Sequence, residues 1–263
     1  MNIKQITNFL ESYAPLEYQE SYDNCGLIIG DANTKVKGAL ITLDCTEAII
    51  DEALATGCNL VIAHHPIIFG GLKKLNASAY IERTVIKAIK NDIAIYAIHT
   101  NLDNVHNGVS AKIAEKLGLE NCKILAPKQE LNTDLVGSGI IGELNEAVDA
   151  VGFLKNLKLT MQTDCVRHTP LVSKTIKTVA VCGGSGSFLL KNAIAAKADI
   201  FITADFKYHE FFDAENKIII ADIGHFESEQ YTNELLFTKL TNKFPTFAFL
   251  LTEINTNPVK YYT

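Results

Sequence analysis

The chain has 263 residues, which is enough for one large α/β domain or for two smaller ones. Its hydrophobic fraction of 48% and its charged fraction of 21% are those of an ordinary soluble globular protein. The formal net charge of -6 argues against non-specific nucleic-acid binding, because proteins that follow a phosphate backbone carry a dense lysine and arginine face. Specific nucleic-acid binding is not expected either.

The cysteines and the N-terminus limit the class of protein further. The six cysteines are scattered and form no CxxC pair, so neither a zinc ribbon nor a redox dithiol is indicated. Residues 1–6 lack the apolar core of a signal peptide, and no apolar run approaches the length of a membrane span. We therefore expect a cytoplasmic protein without a membrane segment.

Strands and helices alternate in the first half of the chain, which predicts a largely parallel sheet with helices on its faces. Apolar residues recur at helical spacing from Ile3 to Tyr13, and Pro15 ends that helix. Asp44 and Thr46 are candidate caps of the second helix. The predicted helices are residues 3–13, 47–55, 79–91 and 108–117. The predicted strands are residues 27–30, 38–43, 59–63 and 93–98.

The pattern changes after residue 125, where Pro127 and the polar residues 128–134 suggest a domain boundary. We expect a two-lobed α/β fold with mainly parallel or mixed sheets. The first lobe is predicted to hold residues 1–125 and 235–263, and the second lobe residues 126–234. The later predicted strands are residues 137–142, 160–166, 177–182, 200–203, 217–221 and 246–251. The later predicted helices are residues 145–156, a helix that ends near 196, and residues 226–242.

Polar side chains follow four predicted strands. They lie at the carboxyl ends of the strands, where open α/β sheets bind their ligands. His64 and His65 end the strand that leads into Pro66, and the turn at Pro66 would let both rings reach one site. The other clusters contain two residues each: His99 with Asp103, Asp205 with His209, and His225 with Glu229.

His225 and Glu229 are four residues apart at a predicted helix start, so one helix face presents an imidazole and a carboxylate together. Sites that combine histidine with carboxylate suit zinc, manganese or iron. Ordinary explanations stay open for each cluster taken alone. His64 and His65 could be a surface pair before a turn, His225 and Asp205 could cap helices, and Glu229 could lie on a solvated helix face.

A glycine-rich stretch, residues 183–187, follows a predicted strand and precedes a helix. Its backbone amides could bind a phosphate group. It has neither the lysine of a P-loop nor the spacing of a dinucleotide-binding loop. A tight turn that lets the strand and helix pack closely is the competing interpretation.

Six blocks of the sequence resemble the signature of a known family, the YbgI-like dinuclear metal centre proteins, whose members are often labelled type 2 GTP cyclohydrolase I homologues. The blocks occur in family order and span most of the chain. Cys25 and Phe206 depart from the family pattern without affecting a ligand position. The blocks are residues 23–27 (DNCGL), 64–66 (HHP), 99–103 (HTNLD), 183–186 (GGSG), 205–209 (DFKYH) and 222–229 (DIGHFESE).

The resemblance implies a ring-shaped homohexamer whose subunits hold two divalent metal ions, zinc, iron or manganese, in the cleft between two α/β lobes. Glu229 is the expected bridge between the ions, since a carboxylate has two oxygens. His99 is assigned to the second coordination shell or to the substrate side. We also expect His64 and His65 to bind different ions. The implied metal ligands are His64, His65, Asp103, His225 and Glu229.

The resulting hypothesis is a two-metal hydrolase, in which hydroxide activated by the metal attacks an electrophilic carbon or phosphorus. Asp205 and His209 are the candidates for acid/base catalysis or substrate contact. The family label implies opening of the GTP purine ring at C8, so the partner is a small molecule, with nucleotides as candidates. Two other functions stay open: a two-metal phosphoesterase or nucleotide hydrolase, and a non-catalytic metal-binding or regulatory protein.

Overall fold

The computed structural model describes residues 1–128 and 135–262, and its chain forms two units. The first unit contains Met1–Leu102 and Thr232–Pro258, and the second contains Asp103–Tyr231 and Val259–Thr263. Most of the polar segment expected to separate the lobes, residues 129–134, lies outside the described residues. The strands are β1 (Gly26–Ile29), β2 (Ala39–Thr42), β3 (Leu60–Ala63), β4 (Ala94–Ala97), β5 (Glu120–Pro127), β6 (Gly137–Asp149), β7 (Arg167–His168), β8 (Thr175–Ser185), β9 (Ile200–Ala204), β10 (Ile219–Asp222) and β11 (Phe249–Leu251).

The described helices cover the faces of two sheets, and the predicted α/β class with mixed sheets is confirmed. None of the helices in the described ranges is long and apolar enough to cross a membrane. The helices are α1 (Ile3–Tyr13), α2 (Glu47–Ala55), α3 (Tyr80–Lys90), α4 (Thr100–Asp103), α5 (Val109–Lys116), α6 (Ala150–Thr160), α7 (Leu190–Ala195), α8 (His225–Glu229) and α9 (Thr232–Lys243).

The sheet of the first unit has the strand order β1-β4-β3-β2-β11. Strands β11, β2, β3 and β4 run parallel, and β1 pairs with β4 in the antiparallel direction. Every residue of β2, β3 and β4 is buried, as expected for parallel strands whose two faces are both covered. The carboxyl ends of these three strands therefore meet at one edge of the sheet.

Local signals in the sequence account for the helices of the first unit. Asn2 caps α1 through a reciprocal capping box with Gln5. Thr46 caps α2 by accepting a hydrogen bond from the amide of Ile49. Asp44, the other candidate cap, accepts a hydrogen bond from His65 instead.

The sheet of the second unit has the order β5-β6-β8-β9-β10-β7. Its central strands β8, β9 and β10 are parallel, and the outer strands pair in the antiparallel direction. Ile113 and Ala114 of α5 belong to the core of this unit, and β5 pairs with β6. The first unit ends at Leu102, and α5 and β5 belong to the second.

Several elements in the second half differ from the sequence-based expectation. Residues 160–166 do not form a strand, because α6 continues to Thr160 and buries Phe153 and Leu157 against the core, with Met161 directly after it. These three positions are spaced four residues apart, so helical periodicity decides the structure of this segment. The predicted helix over residues 226–242 is divided into α8 and α9.

We expect that Leu40→Ala will lower the free energy of unfolding of the protein by about 2–5 kcal/mol, because it leaves a cavity beside the sheet of the first unit. Leu40 is fully buried within the cluster that α2 and α3 cover. Leu54→Ala in α2 is the matched control, since that side chain is 42% exposed. Denaturant unfolding followed by circular dichroism measures both. Equal effects of the two substitutions would contradict this description of the core.

Candidate metal centre

Three polar segments lie at the carboxyl ends of β2, β3 and β4 in the first unit: Asp44, the His64-His65 pair, and His99. The parallel hydrogen bonding continues past the end of β3. The amide of His64 donates to the carbonyl of Thr42 at 3.1 Å, and the amide of His65 donates to that of Leu43 at 2.9 Å. The backbone of the histidine pair is thus held by the neighbouring strand.

The imidazoles of His64, His65 and His99 form a compact group. Ring centroids lie 5.0 Å apart for His64 and His65, 5.2 Å for His64 and His99, and 5.3 Å for His65 and His99. Each residue offers one potential ligand atom, and these three atoms all lie within 4.8 Å of one another. His64 is fully buried, whereas His65 and His99 are partly buried.

Each of these three rings uses Nδ1 to contact an oxygen acceptor. His64 Nδ1 lies 2.8 Å from the carbonyl oxygen of Ile98, and His65 Nδ1 lies 2.8 Å from Asp44 Oδ1. His99 Nδ1 lies 2.9 Å from Asp23 Oδ1. A carbonyl or a carboxylate can only accept a hydrogen bond, so Nδ1 carries the proton. In the neutral rings the lone pair is consequently on Nε2, as in histidines that bind metals through Nε2.

Asp23, which orients His99, has a fully buried carboxylate. It also accepts hydrogen bonds from the amide and the hydroxyl of Thr100. Burial alone would raise the pKa of Asp23, but the hydrogen bonds from His99 and Thr100 outweigh it and hold the pKa well below its usual value. The thiol of Cys25 lies 3.1 Å from Asp23 Oδ2, and burial raises the pKa of Cys25 to about 12. Cys25 is therefore a neutral donor.

In the second unit, α8 starts shortly after β10 and carries His225 and Glu229. His225 Nε2 lies 3.1 Å from Glu229 Oε2, which confirms that the two side chains share one helix face. His225 Nδ1 lies 2.6 Å from Asp205 Oδ2, and Asp205 directly follows β9. Asp205 adopts a left-handed backbone conformation with φ of 60°.

The two carboxylates control the protonation of His225. Burial alone would lower its pKa, but the charge of Glu229 and the hydrogen bonds to Asp205 and Glu229 raise the pKa to about 11. The same hydrogen bond from His225 lowers the pKa of Asp205. This environment favours a positive charge, which a proton or a metal cation can supply.

Asp103 adds a second carboxylate close to Glu229. A carboxylate oxygen of Asp103 lies within 4.8 Å of a carboxylate oxygen of Glu229. Glu229 is only 3% exposed. Both charges reach the buried thiol of Cys182, whose pKa is raised mainly by burial and further by Asp103 and Glu229. Two carboxylates at this spacing repel each other unless a cation lies near them.

The glycine-rich stretch packs tightly against α8. A Cβ atom on Gly184 would lie 2.3 Å from Glu229 Oε1, and one on Gly183 would lie 2.6 Å from a methyl group of Val109. The amide of Gly184 donates to Ser228 Oγ at 2.9 Å. Strand β8 continues to Ser185, so these glycines lie in the strand. The tight turn of the competing interpretation is therefore not formed at Gly183 and Gly184, but the close packing it was expected to allow is observed.

The two candidate catalytic residues have different surroundings. Asp205 contacts His225 and so orients that ring. His209 lies exposed on a 3₁₀ helix, Tyr208–Ala214, where its ring contacts those of Tyr208 and Phe212. Sequence reasoning did not assign Asp44 as a partner of His65. Its position at the end of β2, beside the end of β3, was the available signal.

Each unit offers donors that fit a divalent transition metal ion. They are imidazole nitrogens in the first unit and an imidazole nitrogen with carboxylate oxygens in the second, and both kinds suit zinc, iron and manganese. An oxygen acceptor on Nδ1 is the usual second-shell partner of a metal-binding histidine, and His64, His65 and His225 each have one.

Known proteins resemble this chain over its full length. The GTP cyclohydrolase 1 type 2 homolog of Clostridium acetobutylicum is 31% identical over 99% of both chains. A hypothetical protein of Staphylococcus aureus of known structure is 29% identical, with a TM-score of 0.92 over 100% of this chain and 99% of that one. A Bacillus cereus protein related to NIF3 is 25% identical, with a TM-score of 0.93 and the same coverage.

The structure of the protein ybgI shares the fold at 20% identity, with a TM-score of 0.82 over 98% of this chain and 100% of that one. The resemblance to YbgI-like proteins is thereby confirmed. The model of the DUF34/NIF3 family, described as NGG1p interacting factor 3, matches residues 1–258, and the chain belongs to this family.

Proposed function

We propose that the protein is a hydrolase that depends on two divalent metal ions and acts on a nucleotide-like substrate. One observation carries the proposal. Histidines at the ends of parallel strands in both units present Nδ1 to an oxygen acceptor, as metal-binding histidines do. The proposed ligands, which would hold the ions, are His64, His65, Asp103, His225 and Glu229.

Bound divalent ions would supply Lewis acidity, which polarises a substrate oxygen and activates water for attack. The protein contributes fixed ligand orientation. Asp44 orients His65 and the carbonyl of Ile98 orients His64, so neither ring needs to reorganise when a cation binds. Asp205 fixes His225 in the same way and is better described as a positioning residue. His209 stays a candidate for contact with the substrate.

The relatives support the substrate class. The matched relatives from Clostridium acetobutylicum and Campylobacter jejuni are named GTP cyclohydrolase 1 type 2 homologs. We propose by that likeness that the chain hydrolyses GTP at C8 of the purine ring, which requires addition of water and release of formate. Two-metal hydrolysis of a phosphoester is the competing reaction, since the same ligands suit it.

Metal-loaded protein incubated with GTP and with a panel of other nucleotides is expected to release formate from GTP. Release of phosphate instead would reassign the reaction to phosphoester hydrolysis. Absence of both products, with metal retained, would favour a metal-binding or regulatory protein.

Elemental analysis of the same samples should give about two ions per chain for a two-metal site. His65→Ala should lower that number, and unchanged metal content would contradict the ligand assignment.

Gly184→Ala tests the position of Glu229 without removing a ligand. The added methyl would lie 2.3 Å from Glu229 Oε1. We therefore expect metal affinity to fall by about ten- to hundredfold. Gly118→Ala is the matched control, because Gly118 has a similar φ of 69° but no atom within 4 Å of an added Cβ. The control should lose about 1–2 kcal/mol of stability and keep its metal. Competition with a chromophoric chelator measures the affinity, and equal affinities in the two variants would contradict the proposal.

We also propose a homohexamer, which rests on the family resemblance. Light scattering with in-line size exclusion should then give six times the chain mass of 28.9 kDa. A monomer under the same conditions would refute this assembly.

A further inference from the structure

We propose that residues 69–75 of the first unit recognise a purine nucleoside triphosphate. In this proposal Phe69 stacks on the base, and Lys73 and Lys74 bind the phosphate groups. The inference rests on the proposed nucleotide hydrolase and names the residues that would select its substrate. It is supported by the position of Phe69, by the exposure of the segment that follows, and by the charge of that segment.

Phe69 lies beside the histidine cluster of the first unit. Its ring centroid is 5.5 Å from that of His99, and the two rings meet at an angle of 86°. The residues before it are anchored, since Ile67 and Ile68 pack in the core and Asn24 Nδ2 donates to the carbonyl of Ile68 at 2.6 Å. Phe69 is nevertheless 52% exposed. The ring is therefore held in place and still offers surface to a ligand.

The segment that follows is exposed along its whole length. Every residue from 69 to 80 is exposed, and residues 69–75 of this described stretch form no hydrogen bond between backbone groups. Its far end is anchored, because the amide and the hydroxyl of Ser78 donate to Glu82 Oε2 at 2.8 and 3.0 Å. Clustered exposed apolar side chains are typical of ligand-binding surfaces. The exposed large apolar residues here are Phe69, Leu72, Leu75 and Tyr80.

A purine base suits the surface that Phe69 presents. Aromatic side chains bind bases by stacking, since every base has a π face. Gly70 and Gly71 come next, and even an added Cβ on either would have no atom within 4 Å, so the space beside the chain is open. A base on Phe69 would lie next to His99. The rings of the histidine pair 64–65 are 5.2 and 5.3 Å from that of His99, so the base would be close to proposed metal ligands.

Lys73 and Lys74 supply the positive charge that phosphate groups require. Both are exposed, and neither has a hydrogen bond or an ion pair from its side chain among the residues that the structure describes. They follow Phe69 by four and five residues, so the chain can place them at most about 13–18 Å from it. Ribose separates the base of a nucleotide from its phosphates, so contacts at two places along one segment suit such a ligand. In a chain with a net charge of -6, two adjacent unpaired lysines favour an anionic ligand at this place.

The test of stacking uses the absence of tryptophan from the chain. Phe69→Trp keeps an aromatic ring and introduces a single indole, whose fluorescence is quenched when guanine stacks on it. We expect both guanosine and GTP to quench this fluorescence in the metal-loaded, full-length protein. Ile89→Trp is the matched control, because Ile89 is 53% exposed but lies near the end of α3, just before β4 starts. The control should show no quenching.

The test of charge uses the Phe69→Trp protein as its background. Adding Lys73→Gln with Lys74→Gln should weaken GTP binding by about tenfold and leave guanosine binding unchanged, since guanosine has no phosphate. Lys35→Gln with Lys37→Gln is the matched control. It removes two exposed lysines that precede β2, and so lie at the opposite end of the strands from the histidines. The control should change neither affinity.

A third variant, Phe69→Leu, removes the ring and should weaken guanosine binding by about ten- to hundredfold in isothermal titration calorimetry. Absence of quenching in Phe69→Trp, or an unchanged guanosine affinity in Phe69→Leu, would overturn the inference. An unchanged GTP affinity after the two lysine substitutions, or an equal loss for guanosine, would overturn the assignment of the phosphates.

Product release by the unaltered protein separates this inference from the proposed function. Release of formate or phosphate from GTP, without quenching in Phe69→Trp, would overturn the inference and leave the hydrolase in place. Quenching without release of either product would refute the hydrolase and leave the nucleotide site in place.

Discussion

Parallel hydrogen bonding between neighbouring strands is the constraint on which the candidate centre depends. In the first unit, register between β2, β3 and β4 sets Asp44, His64, His65 and His99 at one edge of the sheet. The buried strand residues below that edge leave little freedom for the ends to shift. Tight packing of apolar strands thus determines the positions of the polar side chains at this edge.

In both units oxygen acceptors orient histidine rings, but the chemistry of the surrounding donor groups differs. The three histidines of the first unit are oriented by two carboxylates and a carbonyl, so the group offers imidazole nitrogen donors. In the second unit one histidine contacts Asp205 and Glu229, and Asp103 lies close to Glu229, so the donors are mainly carboxylate oxygens. A nitrogen set gives preference among metals, and an anionic oxygen set gives electrostatic attraction for any cation.

Much of this arrangement could be predicted from the sequence, because local patterns encode it. The alternation of strands and helices, the cap at Thr46 and the four-residue spacing of His225 and Glu229 are all short-range signals. Partners distant in sequence could not be predicted in this way. Asp23 contacts His99 across 76 residues, and Asp44 contacts His65 across 21, so these pairings exist only after the sheet has formed.

The elements whose predicted bounds differ from those in the structure have a similar cause. The start of α6 depends on how far β6 continues along β8, since pairing extends to Asp149, and this residue then caps the helix. A sheet partner outside the local window thereby overrides local helix propensity. Helix α5 joins the core of the second unit through Ile113 and Ala114.

The double contact of Asp44 has a consequence for how the protein is made. Besides His65, Asp44 accepts a hydrogen bond from Thr256 Oγ1 at 2.7 Å, across 212 residues of sequence. Beside it, β11 completes the sheet by pairing with β2. During synthesis His65 emerges from the ribosome long before Thr256. Asp44 therefore gains its full set of contacts only after the chain has been synthesised through Thr256.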